Sequence, residues 1–76
     1  MKDLIEFIAK NLVAKPDEVK VEEVPDGRQT VIELRVAEGD VGKVIGRQGR
    51  IVQAIRTIVK AATVGTGERV NVEIVD

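Results

Sequence analysis

Val44-Ile45-Gly46-Arg47-Gln48-Gly49-Arg50-Ile51 is an apolar pair, a four-residue corner bounded by glycines, and a basic residue opening a second apolar run. Working outward, Glu38-Gly39-Asp40 breaks the strand before it, and Asp40 is placed to cap a short helical turn over Val41–Ile45. After the corner, Ile51, Val52, Ile55, Ile58 and Val59 recur at helical spacing and predict a longer helix over Arg50–Thr63. Gly46 has the freedom to take the positive φ that ends the first helix, and Gly49 leaves room for a partner's backbone to come close. Because the second helix starts at once, its unpaired N–H groups and positive dipole end point toward the corner. Arg47 and Arg50 stand beside it, with Lys43 one turn earlier, so the corner suits a phosphodiester backbone. Spacing alone also leaves open an ordinary glycine turn between two helices.

Two other phosphate loops do not fit these residues. A dinucleotide fingerprint needs G-x-G-x-x-G directly after a strand, whereas here the glycines fall at 42, 46 and 49 behind a helical turn. A Walker loop needs Lys-Ser or Lys-Thr after its last glycine, and Arg50-Ile51 stands there.

The rest of the chain supplies a sheet. Asp3 with Glu6 has capping-box spacing, and Leu4, Ile5, Ile8 and Leu12 form a helical stripe with Phe7 beside it, which predicts a helix over 4–14 closed by Pro16. Val19, Val21 and Val24 form a β-rich run, Pro25-Asp26-Gly27 reads as a turn, and Thr30, Ile32, Leu34 and Val36 alternate with Val31, Glu33 and Arg35. These two runs predict an antiparallel hairpin. A last strand is expected over Arg69–Val75, with Val70, Val72 and Ile74 on one side, after a loop at Gly65-Thr66-Gly67. The order is α-β-β-α-α-β, an α+β fold with a three-stranded sheet and helices packed on one face.

Composition bounds the function. At 76 residues the chain has room for one domain over 1–76, and 43% apolar with 33% charged residues describe a folded one. There is no His, Cys, Ser, Tyr or Trp, which removes the usual general base, the thiol and seryl nucleophiles and nearly every metal-ligand pattern. Carboxylates and lysines are the catalytic groups that remain, and it is the missing types that argue against an enzyme; no metal and no cofactor are expected. No apolar run reaches the roughly 20 residues of a membrane span and no signal-peptide pattern opens the chain, so a cytoplasmic protein without membrane contact is expected. The net charge of −1 hides a separation: residues 41–67 carry no acid and +5 from Lys43, Arg47, Arg50, Arg56 and Lys60, against −6 elsewhere. That local excess is the footprint of a nucleic-acid binder, although a solvated basic helix face has the same pattern.

The stretch from Val44 to Ile51, with Ile55 a turn later, resembles the V-I-G-x-x-G-x-x-I signature of KH domains, and the element order is similar to the prokaryotic, type II arrangement. The resemblance spans essentially the whole chain and extends to the small bacterial single-KH RNA-binding proteins, the KhpA family. It implies that Gly46, Arg47, Gln48 and Gly49 clamp the backbone of about four single-stranded RNA nucleotides. It also implies that Lys43 and Arg50 contact phosphates, and that Val44 and Ile45 floor a groove for bases between the helix pair and the adjoining strand. With Phe7 as the only aromatic residue, stacking platforms are not available, so binding rests on backbone contacts and is salt-sensitive, with modest sequence preference. An RNA chaperone or post-transcriptional regulator is the implied role; the other reading is a protein-interaction subunit of a larger RNA-binding complex with little RNA affinity of its own. The long helix carries an apolar arc of about 180°, wider than a one-sided core requires. A deeply sunk helix would explain that width. So would a partner interface near Ile58, Val59 and Val64, and the resemblance favours it, implying a homodimer or pairing with a larger KH-containing protein.

Overall fold

Ile32 and Leu34, both without exposed surface, lie on the central strand of the computed structural model, which describes residues 1–75. The elements run α1 (Lys2–Leu12), β1 (Lys20–Asp26), β2 (Gln29–Arg35), α2 (Val41–Ile45), α3 (Arg50–Thr63) and β3 (Arg69–Val75). Single 3₁₀ turns lie at Pro16–Glu18, Glu38–Asp40 and Arg47–Gly49. The sheet order is β1-β2-β3, with β1 antiparallel and β3 parallel to β2. A parallel neighbour requires a crossover, and α2 and α3 form it. The register sets Val21 beside Leu34 and Ile32 beside Val72, so one sheet face collects the apolar side chains. On that face Ile5 and Ala9 of α1, Val44 of α2, and Ile55 and Val59 of α3 complete the core. The other face is polar and carries Glu22, Glu33 and Glu73 in register across the three strands.

Three local expectations are corrected. Pro25 and Asp26 lie within β1, paired with Thr30 and Gln29, so the turn reduces to Gly27 and Arg28. Pro25 is tolerated because β1 is an edge strand. At the start of α1 the cap position is Met1 and Asp3 lies inside the first turn, where its charge complements the dipole; Glu6 reaches forward to Lys10 at 2.8 Å. The buried residues of α1 are Ile5 and Ala9, while Leu4, Leu12 and above all Phe7, 68% exposed, lie at the margin or outside.

Helix α1 also ends at Leu12, two residues sooner than expected. The peptide N–H groups of Ala14 and Lys15, which would have continued it, donate instead to the Asp40 carboxylate at 3.2 and 3.0 Å. Asp40 occupies the N-cap position of α2 but makes no side-chain cap bond there. Its carboxylate ties the end of α1 to the start of α2, and Lys43 joins it at 3.4 Å. Burial pushes the Asp40 carboxyl up, but the two N–H groups and the Lys43 ammonium outweigh burial and hold it below the ordinary carboxylate range.

Candidate nucleic-acid interface

The corner between α2 and α3 is built from three left-handed or positive-φ residues. Gly46 closes α2 through its N–H to the Gly42 carbonyl at 2.9 Å and then turns out at φ 77°, ψ 172°. Gln48 (φ 58°, ψ 26°) and Gly49 (φ 74°, ψ 14°) follow in the left-handed region, and Arg50 starts α3. The two glycines are required for different reasons. A Cβ on Gly46 would lie 2.6 Å from Ile51 Cγ1 and 2.9 Å from the Ile51 backbone nitrogen, so the corner is packed shut against its own helix. A Cβ on Gly49 would meet only Val52 Cγ1 at 3.9 Å, so that position needs glycine for its φ and leaves open space in front of it. Gln48 has no such excuse. An L-residue in this region costs roughly 1–2 kcal/mol, and here the cost keeps an exposed amide side chain at the apex of the loop.

Arg47, Gln48 and Arg50 are all exposed, and among the described residues neither guanidinium lies within ion-pair distance of a carboxylate. Lys43 differs: half-exposed, it leans on Asp40. The first turn of α3 carries no acidic residue, so nothing offsets its positive end. The loop is therefore a site of uncompensated positive charge at the start of a 14-residue helix.

Burial sets two of the expected site residues apart from the rest. Val44 has no exposed surface and belongs to the core behind the corner; of the expected apolar floor only half-buried Ile45 reaches the surface. Val59, 1% exposed, packs into the core. Ile58 at 44% and Val64 at 75% exposed do face outward. Exposed Ala54, Ala61 and Ala62 lie on the same side of α3 as Ile58, at 100° per residue.

In the sequence Arg56 and Lys60 read as local positive charge on the polar arc of α3. They line a cleft of about 480 Å³ between α3 and the free edge of β3, together with Thr63, Glu68, Arg69 and Asn71. The Arg56 guanidinium spans that cleft, its Nε and Nη2 donating to the Val72 carbonyl at 3.2 and 3.1 Å. The spacing of Arg56 and Lys60, one turn apart on α3, was the available signal. A larger cleft of about 730 Å³ is lined by Lys15 and Lys43 together with Glu18, Glu38 and Asp40, so acids outnumber bases there and it suits a phosphate chain less well than the corner does. Among the described residues no group of His, Cys, Asp or Glu is arranged to hold a metal, and no helix is long and apolar enough to cross a membrane.

A mixed three-stranded sheet with all helices on one face, and a Gly-x-x-Gly corner between α2 and α3, define a KH domain of the α-β-β-α-α-β kind. The family model for the KH domain of KhpA and KhpB matches residues 2–74, and the chain belongs to that family. It is 57% identical to the RNA-binding protein KhpA of Clostridium acetobutylicum, over 99% of this chain and 100% of that one. It is 53% identical to KhpA of Borreliella burgdorferi, over 97% and 90%. To KhpA of Aquifex aeolicus it is 47% identical, over 100% and 96%.

Proposed function

We propose that this chain binds single-stranded RNA by gripping its sugar-phosphate backbone at Gly46, Arg47, Gln48 and Gly49, with Arg50 and the start of α3 contributing charge. The observation that carries this reading is the cationic corner: the Arg47 and Arg50 guanidinium groups, neither within ion-pair distance of a carboxylate among the described residues, beside positive-φ residues packed by Gly46 against Ile51. The relatives' printed name, RNA-binding protein, points the same way. Lys43 stands at the margin of this site, its charge partly spent on Asp40. The bases would lie in the cleft between α3 and the β3 edge, without aromatic stacking, so affinity falls steeply with salt and sequence preference is modest. A role as RNA chaperone or post-transcriptional regulator follows from a grip on backbone more than on sequence. The double substitution Arg47→Asp, Gln48→Asp tests the site: RNA affinity falls at least about ten-fold with an unchanged circular dichroism spectrum. Undiminished affinity in the folded variant would place the RNA elsewhere.

A second surface supports assembly. Ile58 and Val64 lie exposed beside a strip of alanines that admits close helix approach. It would seat a second copy of the chain, or a larger KH-containing protein, and two linked loops on one RNA would raise a weak single-site affinity. Sedimentation of Ile58→Glu is expected to show monomers where the unaltered chain is dimeric.

A further inference from the structure

Three cationic side chains stand at the corner, and they are not equally free to meet a phosphate. Among the described residues Arg47 and Arg50 have no carboxylate within ion-pair distance, whereas the Lys43 ammonium lies 3.4 Å from Asp40 Oδ1. Lys43 sits midway along α2, three residues after Asp40 and three before Gly46. The carboxylate and the corner are therefore each about 4.5 Å away along the axis, one behind and one ahead. Helical side chains lean toward the N-terminus of their helix, which favours Asp40 as the resting partner. The lysine stem is flexible and half exposed, so its ammonium can swing the other way.

Asp40 tolerates that swing. It is the only buried charged residue among the described ones, and stranding such a group is ordinarily costly. Here the carboxylate has two further partners, the N–H of Ala14 to Oδ1 at 3.2 Å and the N–H of Lys15 to Oδ2 at 3.0 Å. These are backbone donors, and they stay when the ammonium leaves. At 3.4 Å the Lys43 contact is also long beside the roughly 2.7–2.9 Å of a strong charge-assisted bond. It is the loosest of the three contacts and the one that can be exchanged.

Resting on the RNA-binding reading above, we infer that Asp40 is a positioning residue: it holds the Lys43 ammonium back from the loop in the free chain and yields it to an RNA phosphate on binding. Binding then exchanges one ion pair for another, so Lys43 adds less affinity than a free ammonium would, and Asp40 sets the difference. The exchange also leaves a mark away from the RNA. Without the ammonium the carboxylate is a stronger acceptor for the N–H groups of Ala14 and Lys15, which follow α1 and lie 26 and 25 residues away in sequence.

The test uses the full, isotopically labelled chain and random-sequence single-stranded RNA of about eight nucleotides, so that no base preference enters. The amide protons of Ala14 and Lys15 are expected to move downfield as RNA saturates the loop. In Lys43→Met they are expected to lie downfield from the start and to stay there. The same variant is expected to flatten the slope of log affinity against log salt by about 0.7, the loss of one phosphate contact on a single strand. Asp40→Asn is expected to raise affinity roughly three-fold when Lys43 is present and less in the Lys43→Met background. If Asp40→Asn does not fold, the resonances and the salt slope of Lys43→Met decide the point. Loop amides that shift while Ala14 and Lys15 stay still, with the slope of Lys43→Met unchanged, would show that Lys43 never leaves Asp40 and would overturn the inference. Equal gains from Asp40→Asn in both backgrounds would reduce Asp40 to a distant negative charge and would overturn it too. Either result leaves the backbone grip intact. RNA that moves no amide of residues 46–50 would overturn both.

Discussion

Two glycine loops bound α3, and they are held in opposite ways. The one before it, residues 46–49, has φ values of 77°, 58° and 74° at Gly46, Gln48 and Gly49, with Gly46 jammed against Ile51. The one after it has φ 84° at Gly65 and 77° at Gly67, and a Cβ on either would meet nothing within 4 Å. It is held by its own short bonds: Thr66 Oγ1 donates to the Thr63 carbonyl at 2.7 Å and accepts from the Glu68 N–H at 3.1 Å. The first loop carries Arg47 and Arg50 without acids; the second runs into Glu68. Positive φ therefore marks a bend in both places, while packing against the helix and uncompensated charge distinguish only the first.

The largest expected effect breaks this contrast at its rigid side. Gly46→Ala incurs both left-handed strain and overlap with Ile51, and is expected to lower stability by about 3 kcal/mol in urea unfolding. Gly65→Ala incurs the strain alone, about 1 kcal/mol, with RNA affinity unchanged. Equal losses at the two positions would remove the packing argument.

The Asp40 clamp gives a pH-dependent effect. Because the folded-state pKa of Asp40 is depressed, its contribution is fully present above the unfolded value near about pH 4 and is lost as pH falls through the lower folded value. Asp40→Asn is expected to lower the neutral-pH urea midpoint and to flatten the decline of that midpoint in acid. A variant with the slope of the unaltered chain would locate the acid sensitivity elsewhere. The smallest effect lies at the loop apex. Gln48→Gly relieves strain but adds unfolded-state freedom, so stability should shift by less than about 1 kcal/mol, measured by the same unfolding.

What was legible in the sequence follows the punctuation. α2, α3 and β3 begin and end where glycines, Asp40 and the charge pattern place them. The end of α1 was not legible, because the carboxylate that captures the N–H groups of Ala14 and Lys15 lies 26 and 25 residues away in sequence. Nor was the turn at Gly27: Pro25 reads locally as a turn residue, and only its place on an edge strand lets it extend β1. Val44 and Val59 read as surface residues in the sequence because an apolar arc fixes a helix face only after the sheet is placed beneath it. In α3 that arc divides between Val52, Ile55 and Val59 facing the sheet and Ile58 facing out. Arg56 was visible as charge, but its target is a backbone carbonyl on a strand that periodicity does not bring near it.

The most direct test of the backbone grip is to titrate the isotopically labelled chain with short single-stranded RNA and follow its amide resonances by NMR. Shifts concentrated at Gly46, Arg47, Gln48, Gly49 and Arg50, with Gly65 and Gly67 unmoved, are the predicted result. Shifts centred on Gly65 and Gly67, or on α1 around Phe7, with the 46–49 loop silent, would contradict it.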